Sequence, residues 1–453
     1  MIEAQTEAMP ILTEMCSDFL HNEQKRISEL MGCFGSPLHV LFPQQAAENV
    51  VIWKSKIASV YPRLVVQYAF KACKSISLAQ AFASEGAGAD VSSVEEFVSA
   101  MRCGFAADDI SVTGPDKPSS LLDLAITHGA TVHIDSEEEL GRILVMQGAA
   151  KKQVKLFIRI RKQGSRFGLD RQEIMQAFET LGTNGYSEVG LSFHLGGYSL
   201  EDRVAALSDA CDVASQATEF AVRVGSIDIG GGFPVRYLTV HSIAAFSKGL
   251  HLSGKPEIDN YPYAACVASH DHAQAITEKT LLDPDLRSFF EEHKLEIRLQ
   301  PGRSLLEHCG LTLMRVISVK PKDEHSSYVV LEGMSFSVSD RWFGSDFAPA
   351  PLLLKTNTVR RAEPHDYYLV GQSCLESDVI RNKAVSWHQN PSPGDIVCFA
   401  NTAGYQMDSN ESPFHQIPLP EKVAVLRSAQ GWASYRDSNC NVRVESYDHQ
   451  ITN

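Results

Sequence analysis

A single lysine at the end of an apolar run is the clearest chemical candidate in this sequence. Lys71 lies in the stretch 68–73, directly after the apolar run 64–66, so it is predicted to close a strand that enters a buried sheet. An apolar wall at such a position would favour the neutral amine, which can form a Schiff base with an aldehyde. A lysine that snorkels from a strand end to water is the competing interpretation.

Two turns further along the chain could bind a phosphate group. Gly230, Gly231 and Gly232 follow one predicted strand, and successive glycines expose backbone N–H groups to an anion. Arg303 follows the next predicted strand and could supply the charged part of the same site. Closed barrels commonly bind phosphate after strands seven and eight, which is where these turns are predicted. A plain tight turn and a surface arginine are the alternatives.

Two other polar side chains are predicted at strand ends. His194 ends the sixth strand and would face the same mouth, although a hydrogen-bonded core histidine is equally open. Asp90 ends the second strand and precedes a helix, where a capping role is the alternative. His270, Asp271 and His272 are a weak metal motif, because two ligands at i and i+2 in a loop lack a third partner. We therefore expect no metal ion.

An alternation of strands and helices must position these residues. Strands are predicted at 64–71, 86–91, 110–114, 131–135, 154–160, 188–194, 226–230 and 295–300. Amphipathic segments are predicted between them at 94–103, 119–128, 137–148, 171–181 and 200–219. Strands that alternate with helices without a reversal point favour an α/β fold of the parallel (β/α)₈ TIM barrel type over a doubly wound sheet.

The pattern changes on both sides of this barrel. The predicted domains are 1–43, a helical segment (1–35) and a strand that joins a second domain; 44–303, the barrel; and 304–453, an antiparallel β domain. Strands of the β domain are expected at 311–319, 326–332, 351–355, 366–370, 395–400 and 422–427. The long interval 233–294 is predicted to hold extra helix and loop, including 259–263. The N-terminal segment is expected to pack on the β domain or on a second copy of the chain and not on a membrane.

The composition fits a globular enzyme and excludes some other classes. The 453 residues are 44% hydrophobic and 21% charged, and the net charge of -14 without a basic stripe argues against a nucleic-acid partner. Ten cysteines at irregular spacing predict free thiols in a reducing compartment. No apolar run approaches the about 20 residues that span a bilayer, and no secretory signal is visible. We expect a cytoplasmic protein.

Eight short motifs occur in one order along the chain: Tyr68-Ala-Phe-Lys71-Ala, Asp90 with Ser93 and Glu96, Ser165-Arg-Phe-Gly168, His194-Leu-Gly, Gly230-Gly-Gly232, Pro301-Gly-Arg303, Cys374 with Asp378, and Ala403-Gly-Tyr405. Together they make the chain, over roughly 36–430, resemble the fold-type III pyridoxal-phosphate decarboxylases, the family of ornithine and diaminopimelate decarboxylases. The resemblance implies an alanine racemase-like architecture, pyridoxal 5′-phosphate as the cofactor, and removal of the α-carboxylate of an amino acid.

The resemblance also implies roles for the matched residues around the cofactor. Lys71 would hold the cofactor as a Schiff base, and His194 would stack on its pyridine ring. The phosphate would be bound by Gly230, Gly231, Gly232, Arg303 and Tyr405. The remaining cofactor contacts would come from Asp90, Arg159 and Gln300.

A second set of implied residues belongs to the substrate side and to a homodimer. Cys374 would come from the β domain of the partner subunit and would protonate the α-carbon. The substrate would be contacted by Leu375, Glu376 and Asp378. The resemblance further suggests that Arg166 and Asp378 pair between subunits, so that each active site is shared across the interface.

Three departures from the family pattern bear on the reaction and the substrate. Gln300 replaces a glutamate that would pair with the protonated pyridine nitrogen, which makes a racemase or epimerase of the same fold an alternative. Leu375 replaces an acid, which disfavours ornithine, lysine and diaminopimelate as substrates, because a buried ammonium without a partner is costly. Gly197 replaces a serine and removes one phosphate hydrogen bond worth about 0.5–1.5 kcal/mol. An inactive regulatory homologue is a further alternative, and the retained Lys71 argues against it.

Overall fold

A computed structural model of the protein describes residues 2–4, 9–150, 152–239, 265–339, 350–356, 365–408 and 410–439. The segment 259–263, predicted as part of an insertion, lies outside these ranges, and so do residues 440–453.

The described part of the N-terminal region contains two helices and two short strands, where one helical segment (1–35) and one strand were predicted. Its elements are β1 (Ile2–Ala4), α1 (Glu14–Asn22), α2 (Gln24–Phe34) and β2 (Leu38–Leu41). The helices are separate because Glu23, with φ -107° and ψ 28°, departs from helical geometry between them. Phe19 and Ile27 are buried with Leu311 and Trp432, so this segment packs on the β domain, which was one of the two predicted surfaces.

Eight parallel strands close into a barrel, as predicted. They are β3 (Leu64–Ala69), β4 (Gly88–Val91), β5 (Ile110–Val112), β6 (Thr131–Ile134), β7 (Leu156–Arg159), β8 (Glu188–Ser192), β9 (Arg223–Asp228) and β10 (Glu296–Leu299). The strands pair in chain order, and β10 pairs with both β9 and β3. The carboxyl ends of all eight strands therefore meet at one mouth.

Helices surround the barrel and cover it with apolar faces. They are α3 (Pro43–Ala58), α4 (Ile76–Ser84), α5 (Val94–Cys103), α6 (Ser119–His128), α7 (Glu137–Ala150), α8 (Arg171–Thr183), α9 (Leu200–Gln216), α10 (Ser269–Leu281) and α11 (Pro284–Glu292). Trp53, Phe97 and Phe178 belong to the core that these helices share with the strands. None of the described helices is long and apolar enough to cross a bilayer.

The metal motif considered above lies in a helix and not in a loop. His270, Asp271 and His272 belong to the first turn of α10. Asp271 forms an ion pair with Lys56 at 2.9 Å, and His272 Nε2 lies 3.1 Å from the carbonyl oxygen of Tyr198. These side chains therefore connect α10 to its neighbours.

A second sheet of ten strands forms the β domain. It contains β1 and β2 together with β11 (Gly310–Pro321), β12 (Ser326–Leu331), β13 (Pro351–Leu354), β14 (His365–Val370), β15 (Val379–Trp387), β16 (Ile396–Ala400), β17 (Glu421–Ser428) and β18 (Gly431–Arg436). The sheet is mostly antiparallel, but β12 pairs parallel with β14, and β2 pairs parallel with β17. The predicted antiparallel β domain is confirmed, apart from these two parallel pairings, but the predicted strands did not include β15 and β18.

Candidate active site

Lys71 lies at the barrel mouth, in a one-turn 3₁₀ helix (Phe70–Ala72) that directly follows β3. The strand thus ends two residues earlier than predicted. The side chain of Lys71 is exposed in this single chain, which corrects the expectation of an apolar wall around the amine. The backbone N–H of Tyr405 donates a hydrogen bond to the carbonyl of Ala72 at 2.7 Å, so a loop of the β domain holds this turn in place.

Two acidic residues lie close to Lys71. Asp90, only 4% exposed, accepts a hydrogen bond from Thr113 Oγ1 at 2.6 Å. Burial raises the pKa of Asp90, and the charge of Lys71 is the strongest influence that lowers it. Burial likewise raises the pKa of Glu96, whose carboxylate accepts the backbone N–H of Ser92 at 2.7 Å. The alternative role for Asp90 as a helix cap is wrong, because Ser93 caps α5.

Arg159 ends β7 and is held by a residue that the sequence did not single out. Its Nη1 donates to Asp135 Oδ1 at 3.4 Å, and its guanidinium lies 4.4 Å from the centre of the Phe167 ring. The backbone N–H of Gly168 donates to the same carboxylate oxygen at 3.1 Å. Asp135 directly follows β6, and an acid at a barrel strand end was the available signal.

His194 lies against the glycine turn that follows β9. The backbone N–H of Gly231 donates to His194 Nδ1 at 3.3 Å. A Cβ on Gly230, whose φ is +71°, would lie 2.7 Å from the same nitrogen, so the ring requires glycine there. The residue His194 as a whole is exposed. Its imidazole, however, is partly removed from water by its surroundings, which lowers the pKa of the ring to about 4. Lys71, among other cations, adds to this shift, and the ring is neutral at neutral pH.

Arg303 and Tyr405 adjoin the turn after β10. Arg303 Nη1 donates to the carbonyl of Gly404 at 2.7 Å, and its guanidinium lies 4.9 Å from the centre of the Tyr405 ring. The hydroxyl of Tyr405 would lie 2.9 Å from a Cβ on Gly302, so this turn also needs glycine for its close approach. The backbone of Tyr405 itself has a φ of +68°. The two phosphate-suited turns thus meet a tyrosine from the β domain at one rim of the barrel.

Gln300 joins the two turns through its backbone. Its N–H donates to the carbonyl of Gly230 at 2.9 Å, while its side-chain Nε2 is buried and has no hydrogen-bond partner in the described residues. Asp228, the last residue of β9, accepts the backbone N–H of Gly230 at 2.8 Å. Its other carboxylate oxygen lies 3.9 Å from Nε2 of His133. Burial raises the pKa of Asp228 to about 7.

The residues predicted for the substrate side lie on the loop between β14 and β15. Cys374, Leu375 and Glu376 are exposed, and the backbone N–H of Cys374 donates to Nε2 of His415 at 3.3 Å. His415 was not singled out from the sequence. Within the described part of the chain, no hydrogen bond or ion pair joins this loop to Lys71 or to the glycine turn.

Asp378 anchors this loop instead of facing outward. It is 4% exposed, and its two carboxylate oxygens accept backbone N–H groups from Ser335 at 2.7 Å and from Ser373 at 3.0 Å. Arg166 is exposed, and its guanidinium lies 4.2 Å from the centre of its own neighbouring Phe167 ring. Both carboxylate oxygens of Asp378 are therefore bound within its own chain, and its contact with substrate and its pairing with Arg166 of a second copy stay predictions.

The barrel mouth thus brings all ten predicted cofactor residues together: Lys71, Asp90, Arg159, His194, Gly230, Gly231, Gly232, Gln300, Arg303 and Tyr405. A primary amine suits an aldehyde, and close-approach glycines with an adjacent arginine suit a phosphate. A neutral imidazole suits the face of an aromatic ring. The residues present fit pyridoxal phosphate.

Comparison with known proteins gives the same family for barrel and whole chain. The model of the pyridoxal-dependent decarboxylase family's pyridoxal binding domain matches residues 48–251. An uncharacterized protein of Sinorhizobium fredii is 33% identical over 93% of this chain and 94% of its own length. The diaminopimelate decarboxylase of Archaeoglobus fulgidus is 24% identical over 92% of this chain and 93% of its own. The fold is similar to lysine/ornithine decarboxylase from Vibrio vulnificus solved with putrescine, with a TM-score of 0.70, 19% identity, and coverage of 91% and 99%.

Proposed function

Because this chain belongs to the fold-type III family of pyridoxal-phosphate-dependent decarboxylases, we propose that it removes the α-carboxylate of an amino acid. The observation that supports this most directly is the position of Lys71 at the same barrel mouth as the glycine turn (230–232) and Arg303. Pyridoxal phosphate, when bound, supplies an electron-poor ring that accepts the electron pair left by departing carbon dioxide.

Each residue at the mouth has a role in this proposal. Lys71 Nζ holds the aldehyde end of the cofactor, and the glycine turn (230–232), with Arg303 and Tyr405, holds the phosphate end. Within the turn, the N–H of Gly230 is donated to Asp228 and that of Gly231 to His194, so the N–H of Gly232 is the one offered to the phosphate. His194 packs its neutral imidazole against the ring. Asp90 and Arg159 complete the polar wall, fixed respectively by Thr113 and Asp135.

We propose that Cys374 serves the active site of a second copy of the chain. It is exposed on the β domain, where a partner could receive it, and its thiol is a suitable donor of a proton to the α-carbon. Mixing Lys71→Ala with Cys374→Ala protein tests this, because hybrid dimers would recover about a quarter of the wild-type activity. A mixture that stays as inactive as its parents would contradict a shared site.

The exposed face of the Cys374 loop guides the choice of substrate. Leu375, 37% exposed, stands where the family's decarboxylases of basic amino acids carry an acid. An apolar side chain gives a distal ammonium no partner, so the proposed substrate carries a larger or conjugated side chain without a simple terminal amine. Glu376 is exposed beside it and remains a candidate contact.

The nine described cysteines are all free, which fits a reducing compartment, and we propose that the enzyme acts in the cytoplasm. Fractionation of the producing cell, followed by detection of the protein, tests this part. Recovery in an oxidising compartment with disulfide-linked cysteines would contradict it.

The central test uses the colour of the protein. Wild-type protein purified with pyridoxal phosphate should absorb near the visible edge, lose that band on borohydride reduction, and release carbon dioxide from a member of an amino-acid panel. Lys71→Ala should lack the band. Lys74→Ala is the matched control, since Lys74 is bonded to Glu411 at 3.0 Å, and it should keep the band. A colourless wild-type protein would overturn the proposal and favour an inactive regulator.

Racemisation or epimerisation is the second candidate, and Gln300 favours it. A neutral amide beside the pyridine nitrogen cannot hold a proton there by charge, which weakens the ring as an electron sink. Carbon dioxide release and loss of optical rotation, measured on the same amino acids, separate the two reactions. Gln300→Glu should favour decarboxylation, with a changed absorbance of the bound cofactor as an independent sign of ring protonation.

A further inference from the structure

Arg203 is a buried arginine behind the glycine turn. It lies on α9 with 1% of its surface exposed. Its Nη2 donates to the carbonyl oxygens of Gly232 at 2.6 Å and Gly197 at 3.0 Å. A Cβ on Gly232 would lie 2.8 Å from the same nitrogen. One guanidinium thus connects the turn after β9 to the loop after β8.

The face of α9 that carries Arg203 is otherwise apolar. Ala206, Leu207 and Ala210 follow it on the buried face at helical spacing. A buried charge is costly unless it is paired, and no carboxylate of the described residues forms an ion pair with it. Its Nε and Nη1 are buried without a hydrogen-bond partner in that same part of the chain. Besides the carbonyl oxygens that Nη2 binds, the guanidinium lies 5.3 Å from the centre of the Phe233 ring.

The guanidinium keeps its charge and acts on the site. Burial lowers the pKa of Arg203 to about 10, which still leaves it protonated at neutral pH. Arg203 is also among the cations that, after burial itself, lower the pKa of His194. Its positive charge is therefore felt at the mouth although its side chain lies behind the turn.

We propose that Arg203 is a positioning residue of the phosphate site, whose counter-charge is the phosphate of the cofactor. A peptide carbonyl is antiparallel to the N–H of the next residue. By binding the carbonyls of Gly197 and Gly232, Arg203 makes the N–H groups of the next residues, Tyr198 and Phe233, point away from the guanidinium. It thereby offsets the phosphate hydrogen bond lost where Gly197 replaces serine.

This inference rests on the proposed function for the identity of the anion, but its test measures binding and not turnover. Apoenzyme is titrated with pyridoxal phosphate and, separately, with pyridoxal, which lacks the phosphate. Arg203→Met keeps the side-chain volume and removes the charge. It should raise the dissociation constant of pyridoxal phosphate at least about tenfold and change that of pyridoxal less than about twofold. Arg298→Met is the control, a second buried arginine, paired with Glu296 at 2.8 Å, and should not change the ratio of the two affinities.

Arg203→Lys covers the case in which the methionine variant does not fold. It keeps the charge but replaces the planar guanidinium, whose Nη2 binds both carbonyls, with an ammonium on a flexible chain, so we expect an intermediate loss of affinity for pyridoxal phosphate alone. The ³¹P resonance of the bound phosphate should also shift relative to wild type. Equal losses for both ligands, or no loss, would overturn the role of Arg203. A wild-type protein that binds neither ligand would instead overturn the proposed function.

Discussion

The backbone N–H of Tyr405 and the carbonyl oxygen of Ala72 form a hydrogen bond of 2.7 Å across the junction of the barrel and the β domain. Ala72 is the residue after Lys71, and Tyr405 packs its ring 4.9 Å from the guanidinium of Arg303. The two ends of the proposed cofactor site, one for the aldehyde and one for the phosphate, are therefore fixed by one loop. Any displacement of the β domain would disturb both ends together.

Tyr405→Phe tests the hydroxyl of this tyrosine without removing its ring. We expect the dissociation constant of pyridoxal phosphate to rise about 2- to 13-fold, corresponding to one hydrogen bond of about 0.5–1.5 kcal/mol. Absorbance titration of the apoenzyme measures it. Tyr435→Phe, at a tyrosine that is 49% exposed on β18, should leave the constant unchanged. Equal affinities for wild type and Tyr405→Phe would show that the hydroxyl does not bind the phosphate.

Gly231→Ala tests the close approach of the two phosphate turns. An alanine Cβ would overlap the backbone carbonyl oxygen of Gln300, which cannot move without shifting the turn after β10. We expect cofactor affinity to fall by at least about tenfold, while the far-ultraviolet circular dichroism stays that of wild type.

Gly196→Ala is the matched control for this change, because a Cβ there meets no atom within 4 Å and its φ lies outside the left-handed region. It should bind the cofactor like wild type. If both alanine variants bound equally well, the turn after β9 would have room that the structure does not show.

The sequence contained enough information for the barrel because its strands are short, buried apolar runs between amphipathic helices. The β domain was harder, and β15 shows why. Arg381 and Lys383 are buried in this strand, yet they interrupt the apolar pattern by which a strand is recognised. The break at Glu23 between α1 and α2 is likewise a local backbone departure without a proline or glycine to announce it.

The candidate site likewise contains some residues that the sequence predicts and others that it does not. Lys71, His194 and the glycine turn stand at strand ends, where position along the chain predicts position in space. Arg203 and His415 act through atoms that only the folded chain brings near, from a helix face and from a distant loop. The motif of Asp378 predicted a role toward substrate and a partner subunit, but it gave no sign that this side chain is buried and binds the backbone of its own loop.

Asp228→Asn should change how stability depends on pH. Burial raises the folded-state pKa of Asp228 to about 7 from the model-peptide value near 3.8, so the folded protein holds a proton that the unfolded chain has released. Its contribution is fully present below about pH 4 and is lost as the pH rises through about 7. Asparagine stays neutral and can still accept the N–H of Gly230. Because the wild type begins to lose this contribution above about pH 4, we expect the two proteins to melt alike at pH 4 and the variant to melt about 2–4 °C higher at pH 8.

Melting temperatures of the two apoproteins between pH 4 and 8 measure this difference. Burial also raises the pKa of Glu307 to about 7. Because both proteins contain Glu307, its effect on the melting temperature cancels in the comparison. Glu95→Gln, at an exposed carboxylate in the first turn of α5, should follow the wild-type curve. A constant offset between Asp228→Asn and wild type at all pH values would show that Asp228 is ionised in the folded protein.

Asp378→Ala tests whether this carboxylate anchors the Cys374 loop or pairs with a partner subunit. The substitution leaves the buried N–H groups of Ser335 and Ser373 without their acceptor, at a cost of about 1–3 kcal/mol for each group. Gly371 packs against the same carboxylate, so the loop loses its support from both ends. We expect turnover to fall and Cys374 to react faster with iodoacetamide, as measured by mass spectrometry of its peptide.

Arg166→Ala separates the two interpretations of Asp378. If Asp378 acts within its own chain, Arg166→Ala keeps the wild-type alkylation rate of Cys374 and the wild-type mass in solution, because Arg166 contacts only its neighbour Phe167 among the described residues. If the two residues pair between subunits, both variants weaken the dimer to a similar extent and the double variant adds little more. Analytical ultracentrifugation of the three variants decides between them, and equal dissociation in all three would restore the intersubunit pair.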